Sequence, residues 1–461
     1  MGTKKDIIKS PKNIIAPGSL IHLISRMLYN MNSTIVTHNM RTTFIALNLV
    51  KHYKLNPRCT IQNLFILSYF HTIGFFREDI AFKYSPYESD VSFFSRNKSI
   101  ESKYIFGCYY LAYMTPLKQE ALALENFNEP FNKDLKQFIY QQDYKSIIYF
   151  SARLSDYLYR NPERTIPDDL DSIAPGMFDP EVVEAFKAAN KDNKIIQRIV
   201  DYDYADELND FLNGIKLTEE EQAEYLKLII YLLDFKSTST LKHSINTSCY
   251  ALALAQRLGL SEDDKDNLFT SSFLHDIGKI CTPQRILEAP GKLTPEDMGI
   301  MKHHVNHSKR LLKDLIPEDI LETIYRHHEK LNGTGYPKKL SEKDLNQIQR
   351  ILTVADITSA LFDSRSYKGQ FSKEQTLGII KEMTDKGELD PEITGILFRD
   401  FDSIQKELPS LQSILTVDYS SVIREFNNYI FSDTSSLLNT VTGEEIEEIE
   451  ELEELEELKD A

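Results

Sequence analysis

The sequence predicts an all-α protein made of two tandem helical bundles. Three observations carry this. Apolar residues recur at helical spacing, as in IALNLVKHYKL from Ile45 and ALALAQRLGL from Ala251, while long alternating strand patterns are scarce. HNMRTTFIALNLVKHYKL from His38 aligns without gaps to HSINTSCYALALAQRLGL from His243. NLFILSYFHTIGFF (Asn63 to Phe76) is answered, at nearly the same offset, by NLFTSSFLHDIGKI (Asn267 to Ile280). Several blocks repeated in the same order argue for two homologous domains.

A chain of 461 residues favours two or three domains. Its basic start, MGTKKDIIKSPKN, lacks a following apolar run, so no signal peptide is expected. No apolar run reaches the roughly 18 residues of a membrane span. The first copy is assigned to residues 18–195. Within it, Asp156 in FSARLSDYLY is matched with Asp356 in ILTVADITSALF, and FDPE at 178–181 echoes LDPE at 389–392. The polar, acidic stretch 196–217 reads as a linker. Thr218, with Glu221 three residues on, has the pattern of a capping box that opens a helix and the second copy, residues 218–405. A helical extension is expected over 406–443. The tail 444–461 spaces Ile446, Ile449, Leu452, Leu455 and Leu458 three apart, a period that drifts around a helix, and it reads as a solvated acidic tail.

Charge and cysteines narrow the class. The net charge is −17, of which the tail (ten Glu and one Asp against one Lys) contributes −10, leaving −7 for the body. An acidic body argues against nucleic acid as a partner and still allows a small phosphate ligand in a local positive site. The four cysteines, Cys59, Cys108, Cys249 and Cys281, form no CxxC pair, as expected for free thiols in a reducing cytoplasm.

The second copy supplies His243, His275-Asp276, His304, His327-His328 and Asp356 in order along several expected helices. Neutral imidazole and carboxylate oxygen suit a divalent ion such as Fe, Mn or Zn, and the absence of thiolates disfavours a structural zinc site. The set exceeds one ion's needs. With Asp276 as a bridge it suits two ions a few ångströms apart, an arrangement that activates water and polarises a phosphoryl oxygen. A lone histidine on an amphipathic helix is a surface or core residue, and His303, His307 and the N-terminal histidines are read so. After His327 runs HHEKLNGTGYP, where Gly333 and Gly335 allow close backbone approach to a ligand and Tyr336 offers a flat face and a hydroxyl.

The stretch from about Glu219 to Ile404 resembles the HD-GYP family, the cyclic di-GMP phosphodiesterase branch of the HD metal-dependent phosphohydrolases. The matching pieces are HS at 243–244, HDIGKI, PGKLTPEDMGIMKHH, HHEKLNGTGYP, RILTVAD and SRSYK. The resemblance implies a helical bundle whose ligands are His243, His275, Asp276, His304, His327, His328 and Asp356. It implies a catalytic role for Asp276 and for Lys279, which would touch the substrate phosphate or metal-bound water. Arg365 and Lys368 match the family's phosphate-gripping pair, and Tyr336, Gly335 and Asn332 fall in its substrate loop. Ser239 stands where members with a third metal carry Glu, which favours two ions, Fe or Mn first, with Zn, Ni and Mg also compatible. Asn332, Ser359 and Ser366 replace an Asp, an Asp and a Pro of the family pattern.

The first copy keeps His38 and His71 but has Thr72 and Phe75 in place of Asp276 and Lys279. Lys103 falls near the position of His304, and LENFNEPFN fills the interval of HHE…GYP. It is expected to be a degenerate, metal-free HD-like pseudo-domain, used for dimerisation or regulation. The activity implied for the chain is hydrolysis of cyclic di-GMP to pGpG, with GMP as a further product, by attack of a metal-bridged hydroxide on phosphorus. Two other readings stay open: a cyclic-dinucleotide-binding regulatory or scaffold protein with little turnover, and a hydrolase of another cyclic dinucleotide or nucleotide phosphate. A cytoplasmic homodimer is the expected assembly.

Overall fold

The computed structural model describes residues 14–77, 98–161, 165–289, 291–362, 371–415 and 421–429, in which helices joined by loops are the regular secondary structure. No strand forms among them, only an isolated bridge between Asn332 and Ser341. No helix of the described residues is long and apolar enough to cross a membrane. The acidic tail, Arg365, Ser366 and Lys368 lie outside the described residues.

Each copy is built around one deeply buried helix. In the first it is Ser33–Leu49, started by Asn32, whose side chain accepts the backbone N–H of Thr34 and Ile35. It packs against Ile61–Phe70, Gln141–Arg160 and Pro180–Asn193. In the second it is Thr238–Arg257, packed against Glu262–Leu274, Gln347–Phe362 and Pro391–Leu415. The capping box predicted at Thr218 is formed: Glu221 N donates to Thr218 Oγ1 at 3.2 Å and Thr218 N to Glu221 Oε2 at 2.7 Å. All four cysteines are free thiols.

The repeat extends to backbone contacts. A β-carbon on Gly278 would stand 2.1 Å from the carbonyl oxygen of His304, and one on Gly74 would stand 2.0 Å from that of Lys103. Lys103 therefore occupies the place of His304. The centroids of the His38 and His71 rings lie 5.4 Å apart, as do those of His243 and His275. The match of Asp156 with Asp356 is corrected. Ser155 Oγ lies 3.2 Å from His38 Nδ1 and donates to the His38 carbonyl, as Ser359 does to His243. That register puts Ala152 at the place of Asp356. Asp156 instead accepts Arg160 Nε on both oxygens at 3.0 Å.

Two expected boundaries are also corrected. Residues 196–217 contain the end of a helix Ile195–Val200 and all of Ala205–Gly214, and they are folded onto the first copy. Leu208 and Leu212 are buried, and Phe211 stacks on Phe65 at 4.6 Å. The polar composition of this stretch conceals one apolar stripe at positions 208, 211 and 212, spaced to face the core. The helix Pro391–Leu415 runs through the boundary drawn at 405, so residues 406–415 continue it.

The two copies share one contiguous apolar core running from Ile15 to Val422. The helix Pro17–Met31 lies against the second copy, where Arg26 Nη1 donates to the carbonyls of Leu311 at 2.9 Å and Lys313 at 2.8 Å. These are carbonyls at the end of helix His304–Leu312, which a cation suits.

Candidate metal centre

The candidate ligands sit mostly at helix ends. His275 and Asp276 follow the helix Glu262–Leu274, His304 follows Pro295–Lys302, and His327 and His328 follow Glu318–Arg326. Helix ends carry carbonyls with no intrahelical partner. Three imidazoles use them: Nδ1 donates to the carbonyl three residues earlier, His275 to Ser272 at 2.6 Å, His304 to Met301 at 2.7 Å and His327 to Ile324 at 2.6 Å. A carbonyl only accepts, so each ring carries its proton on Nδ1 and turns Nε2 to the centre. His71 makes the same bond to Ser68 at 2.8 Å, so the device belongs to the fold of both copies.

Asp276 and Asp356 join two groups of histidines. Asp276 Oδ2 lies 3.6 Å from His243 Nε2 and 3.3 Å from His275 Nε2, while its Oδ1 lies 3.3 Å from His304 Nε2. Asp356 Oδ1 lies 2.9 Å from His243 Nε2 and 3.7 Å from His275 Nε2, while its Oδ2 lies 3.4 Å from His328 Nδ1. His327 Nε2 is 3.3 Å from His304 Nε2. All seven predicted ligands thus converge. Ligand atoms of His243, His275 and Asp276 lie within 4.8 Å of one another, as do those of His304, His327 and His328.

The electrostatics favour the ligand state. Burial opposes ionisation of Asp276 and Asp356, but Lys279 and the histidines around Asp276, and His243 and His275 beside Asp356, hold both well below the usual carboxylate range. Burial keeps His304 neutral, at about 4, and His328 at about 3, and it pushes His327 well down with help from His328. His275 is the exception. Burial would lower it, yet the carboxylates of Asp276 and Asp356 raise it to about 10. His275 Nε2 and Asp276 Oδ1 are buried and sit at ion-pair distances, but neither has an aligned hydrogen-bond partner. Orphaned ligand atoms among buried imidazoles and ionised carboxylates fit divalent cations.

The centre forms the floor of a cavity of about 350 Å³. Lys279 and Tyr336 line it, and the Lys279 ammonium rests 2.5 Å from Asp276 Oδ2. The Tyr336 ring lies 4.7 Å from that of His328, and Lys302 Nζ lies 5.1 Å from the Tyr336 ring centroid. Burial and the two carboxylates raise the Tyr336 phenol, which stays protonated. Two loop residues are corrected. Asn332 spends its amide on the loop, donating to Lys386 O and accepting from Thr334, and is absent from the cavity lining. Gly335 faces backbone: a β-carbon there would meet Glu329 Cα at 2.5 Å and His328 O at 2.6 Å. The glycine lets the loop fold onto the ligand segment, so only Tyr336 is presented to the cavity.

Several contributors escaped the sequence reading. Glu329 is buried and accepts Lys338 N at 2.6 Å and Leu340 N at 2.9 Å, closing the loop behind Tyr336. A carboxylate directly after the ligand pair was the available signal. Ser359 lies 3.0 Å from His243 Nδ1 and so orients a ligand. Lys242 lines the rim, and Leu287, Leu293, Met298 and Met301 supply an apolar wall. In the first copy the corresponding centre is filled with rings: Phe127 lies 5.8 Å from His71, 4.8 Å from Tyr104 and 5.3 Å from Tyr149.

Residues 227–393 match the HD domain family. The chain is 31% identical over 185 residues to 3'3'-cGAMP-specific phosphodiesterase 1 of Vibrio cholerae, covering 40% of this chain and 43% of that protein. It is 32% identical over 193 residues to the cyclic di-GMP phosphodiesterase response regulator RpfG of Xanthomonas campestris pv. campestris, covering 41% and 50%. The chain spans about half or less of the length of these curated relatives. The crystal structure of a cyclic GMP-AMP-specific phosphodiesterase of V. cholerae superposes on 84% of this chain and 98% of that one, with TM-score 0.52 and 16% identity, a likeness of fold. The candidate ligands from His243 to Asp356 all fall inside the stretch that matches the HD domain family.

Proposed function

We propose that the second copy hydrolyses a phosphodiester bond of a cyclic dinucleotide, with cyclic di-GMP opened to linear pGpG. The observation that most supports this is the pair of His/Asp clusters joined by Asp276 and Asp356 beneath a cavity edged by Lys242 and Lys279. His243 and His275 would hold one divalent ion and His304, His327 and His328 the other, with both carboxylates between them; Fe or Mn suits the donor set. Such a pair of ions supplies Lewis acidity toward a phosphoryl oxygen and a water of lowered pKa.

The chain's own residues do the rest. Backbone carbonyls fix the ligand rings. Lys242 and Lys279 attract phosphate, and Arg365 and Lys368 are proposed to grip it. The protonated Tyr336 hydroxyl is a donor toward substrate oxygen. The Leu287, Leu293, Met298 and Met301 wall takes the faces of the bases and keeps water away. The first copy, with its aromatic filling, is proposed to hold no metal. The homodimer and cytoplasmic location expected from the sequence stand as proposals, checked by light scattering and fractionation.

Relatives are named for both cyclic di-GMP and 3'3'-cGAMP, so both belong in the test. Purified full-length protein loaded with Mn or Fe is incubated with each, and the products are separated by chromatography. Opening of cyclic di-GMP to pGpG that is lost in Asp276→Asn supports the proposal, and preference for 3'3'-cGAMP redirects the substrate. Tight binding without turnover favours the regulatory or scaffold reading. Neither binding nor turnover of either ligand rules out both.

A further inference from the structure

The first copy has a cavity of its own, about 250 Å³, lined by Tyr29, Ser33, Thr34, Thr37, Arg41 and Tyr159, with Tyr202 at its side. Its position is informative. In the aligned repeat, Thr34 and Thr37 stand where Ser239 and Lys242 line the cavity of the metal centre. The first copy thus keeps an opening on the same face of its central helix.

The charge differs between the two copies: the acidic centre is missing from the first, and its cavity lining carries Arg41 instead. Thr72 and Ala152 occupy the places of the two joining carboxylates, Asp276 and Asp356. Arg41 occupies the place of Asn246, which in the second copy is engaged with Gln412 at 2.7 Å. Arg41 is largely buried, held by Nε donating to Ser155 Oγ at 3.2 Å, with its guanidinium 5.3 Å from the Tyr159 ring centroid. Arg160, Arg153 and Arg41 itself all act on the carboxylate of Asp156, three cations against one anion. A site suited to cations has been replaced by one suited to an anion.

The rim is aromatic. Tyr29, Tyr159 and Tyr202 are 53%, 61% and 60% exposed, unusual for such large rings gathered at one opening. Tyr202 also holds a φ of 57°, a left-handed conformation that a bulky residue seldom adopts, and it lies in the segment folded back from the end of the first copy. An anchored arginine, the hydroxyls of Ser33 and Thr34 and exposed tyrosine faces together match a ligand with a phosphate at one end and a planar ring at the other.

We propose that this cleft in the first copy binds a nucleoside phosphate without hydrolysing it, with the phosphate on Arg41 and the hydroxyls of Ser33 and Thr34 and the base on the tyrosine rings. The binding does not depend on the reaction proposed for the second copy.

The test is calorimetric titration of GMP into the full chain, with metal loaded and again in EDTA. The expected result is a binding event that survives EDTA, whatever else binds when metal is loaded, and that in EDTA is weakened about tenfold or more by Tyr159→Ala or Tyr202→Ala, both exposed positions. Arg41→Lys should weaken it too, and guanosine should bind far more weakly than GMP. Circular dichroism confirms that the variants fold. Absence of any event in EDTA overturns the proposal. So does an event that is unchanged in both tyrosine variants or lost in Lys279→Ala, because the ligand would then sit elsewhere.

Discussion

Gly278 packs directly on the backbone of His304, leaving 2.1 Å between a would-be β-carbon and the His304 carbonyl oxygen. The same contact joins Gly74 to Lys103. The glycine after the HD or HT pair is therefore a packing requirement of the fold, and in the second copy it also sets the position of a ligand. Gly278→Ala is expected to destabilise by about 1–3 kcal/mol, through overpacking against backbone, and to lower metal content. Gly74→Ala should destabilise similarly while metal content per folded chain stays unchanged. Thermal melts and elemental analysis separate the two.

Asp276 and Asp356 each turn one oxygen to either histidine group. Asp276→Asn and Asp356→Asn keep the shape and remove a charge. Each is expected to reduce the metal content from two ions per chain and to lower hydrolysis by at least about a hundredfold, the scale of losing an electrostatic stabiliser at the reacting centre. Full retention of two ions in both variants would refute the joining role.

Glu329 stabilises the loop without lining the cavity. Glu329→Gln loses charge-assisted bonds to two backbone N–H groups and should cost about 2–4 kcal/mol. The loop carrying Tyr336 should become cleavable by protease near residues 333–340, and KM should rise more than metal content falls.

His71 provides a pH signature away from the metal centre. Burial lowers it to about 4 from the ordinary 6.5. Between those values the unfolded chain takes up a proton that the folded chain refuses, so stability falls as pH drops from about 6.5 toward 4. The contribution is roughly 3 kcal/mol over that window. The difference in urea midpoint between wild type and His71→Gln should change across pH 4–6.5 and be flat above pH 7. A difference that is flat across the whole range would show that His71 does not titrate as its burial requires.

The seven ligands were legible because each lies in a short local phrase, and imidazoles with carboxylates have a narrow range of uses. Asn332 and Gly335 were legible as loop residues, but their direction was not. A turn's polar side chain can face a ligand or neighbouring backbone, and Asn332 takes the latter, donating to the Lys386 carbonyl 54 residues away. Ser359 looked like a lost carboxylate and became the partner of His243, 116 residues away.

By itself the sequence determined the all-α class, the repeat, the candidate ligand set and the absence of counterparts to Asp276 and Lys279 in the first copy. Helical period and local motifs encode these within a few turns of chain. Tertiary structure alone decided that Ser155 and not Asp156 fixes the register, and that residues 196–217 fold into the core. It also decided that Arg26 ties the copies together across 285 residues of chain. These depend on which distant surfaces meet, and a one-dimensional pattern does not specify that.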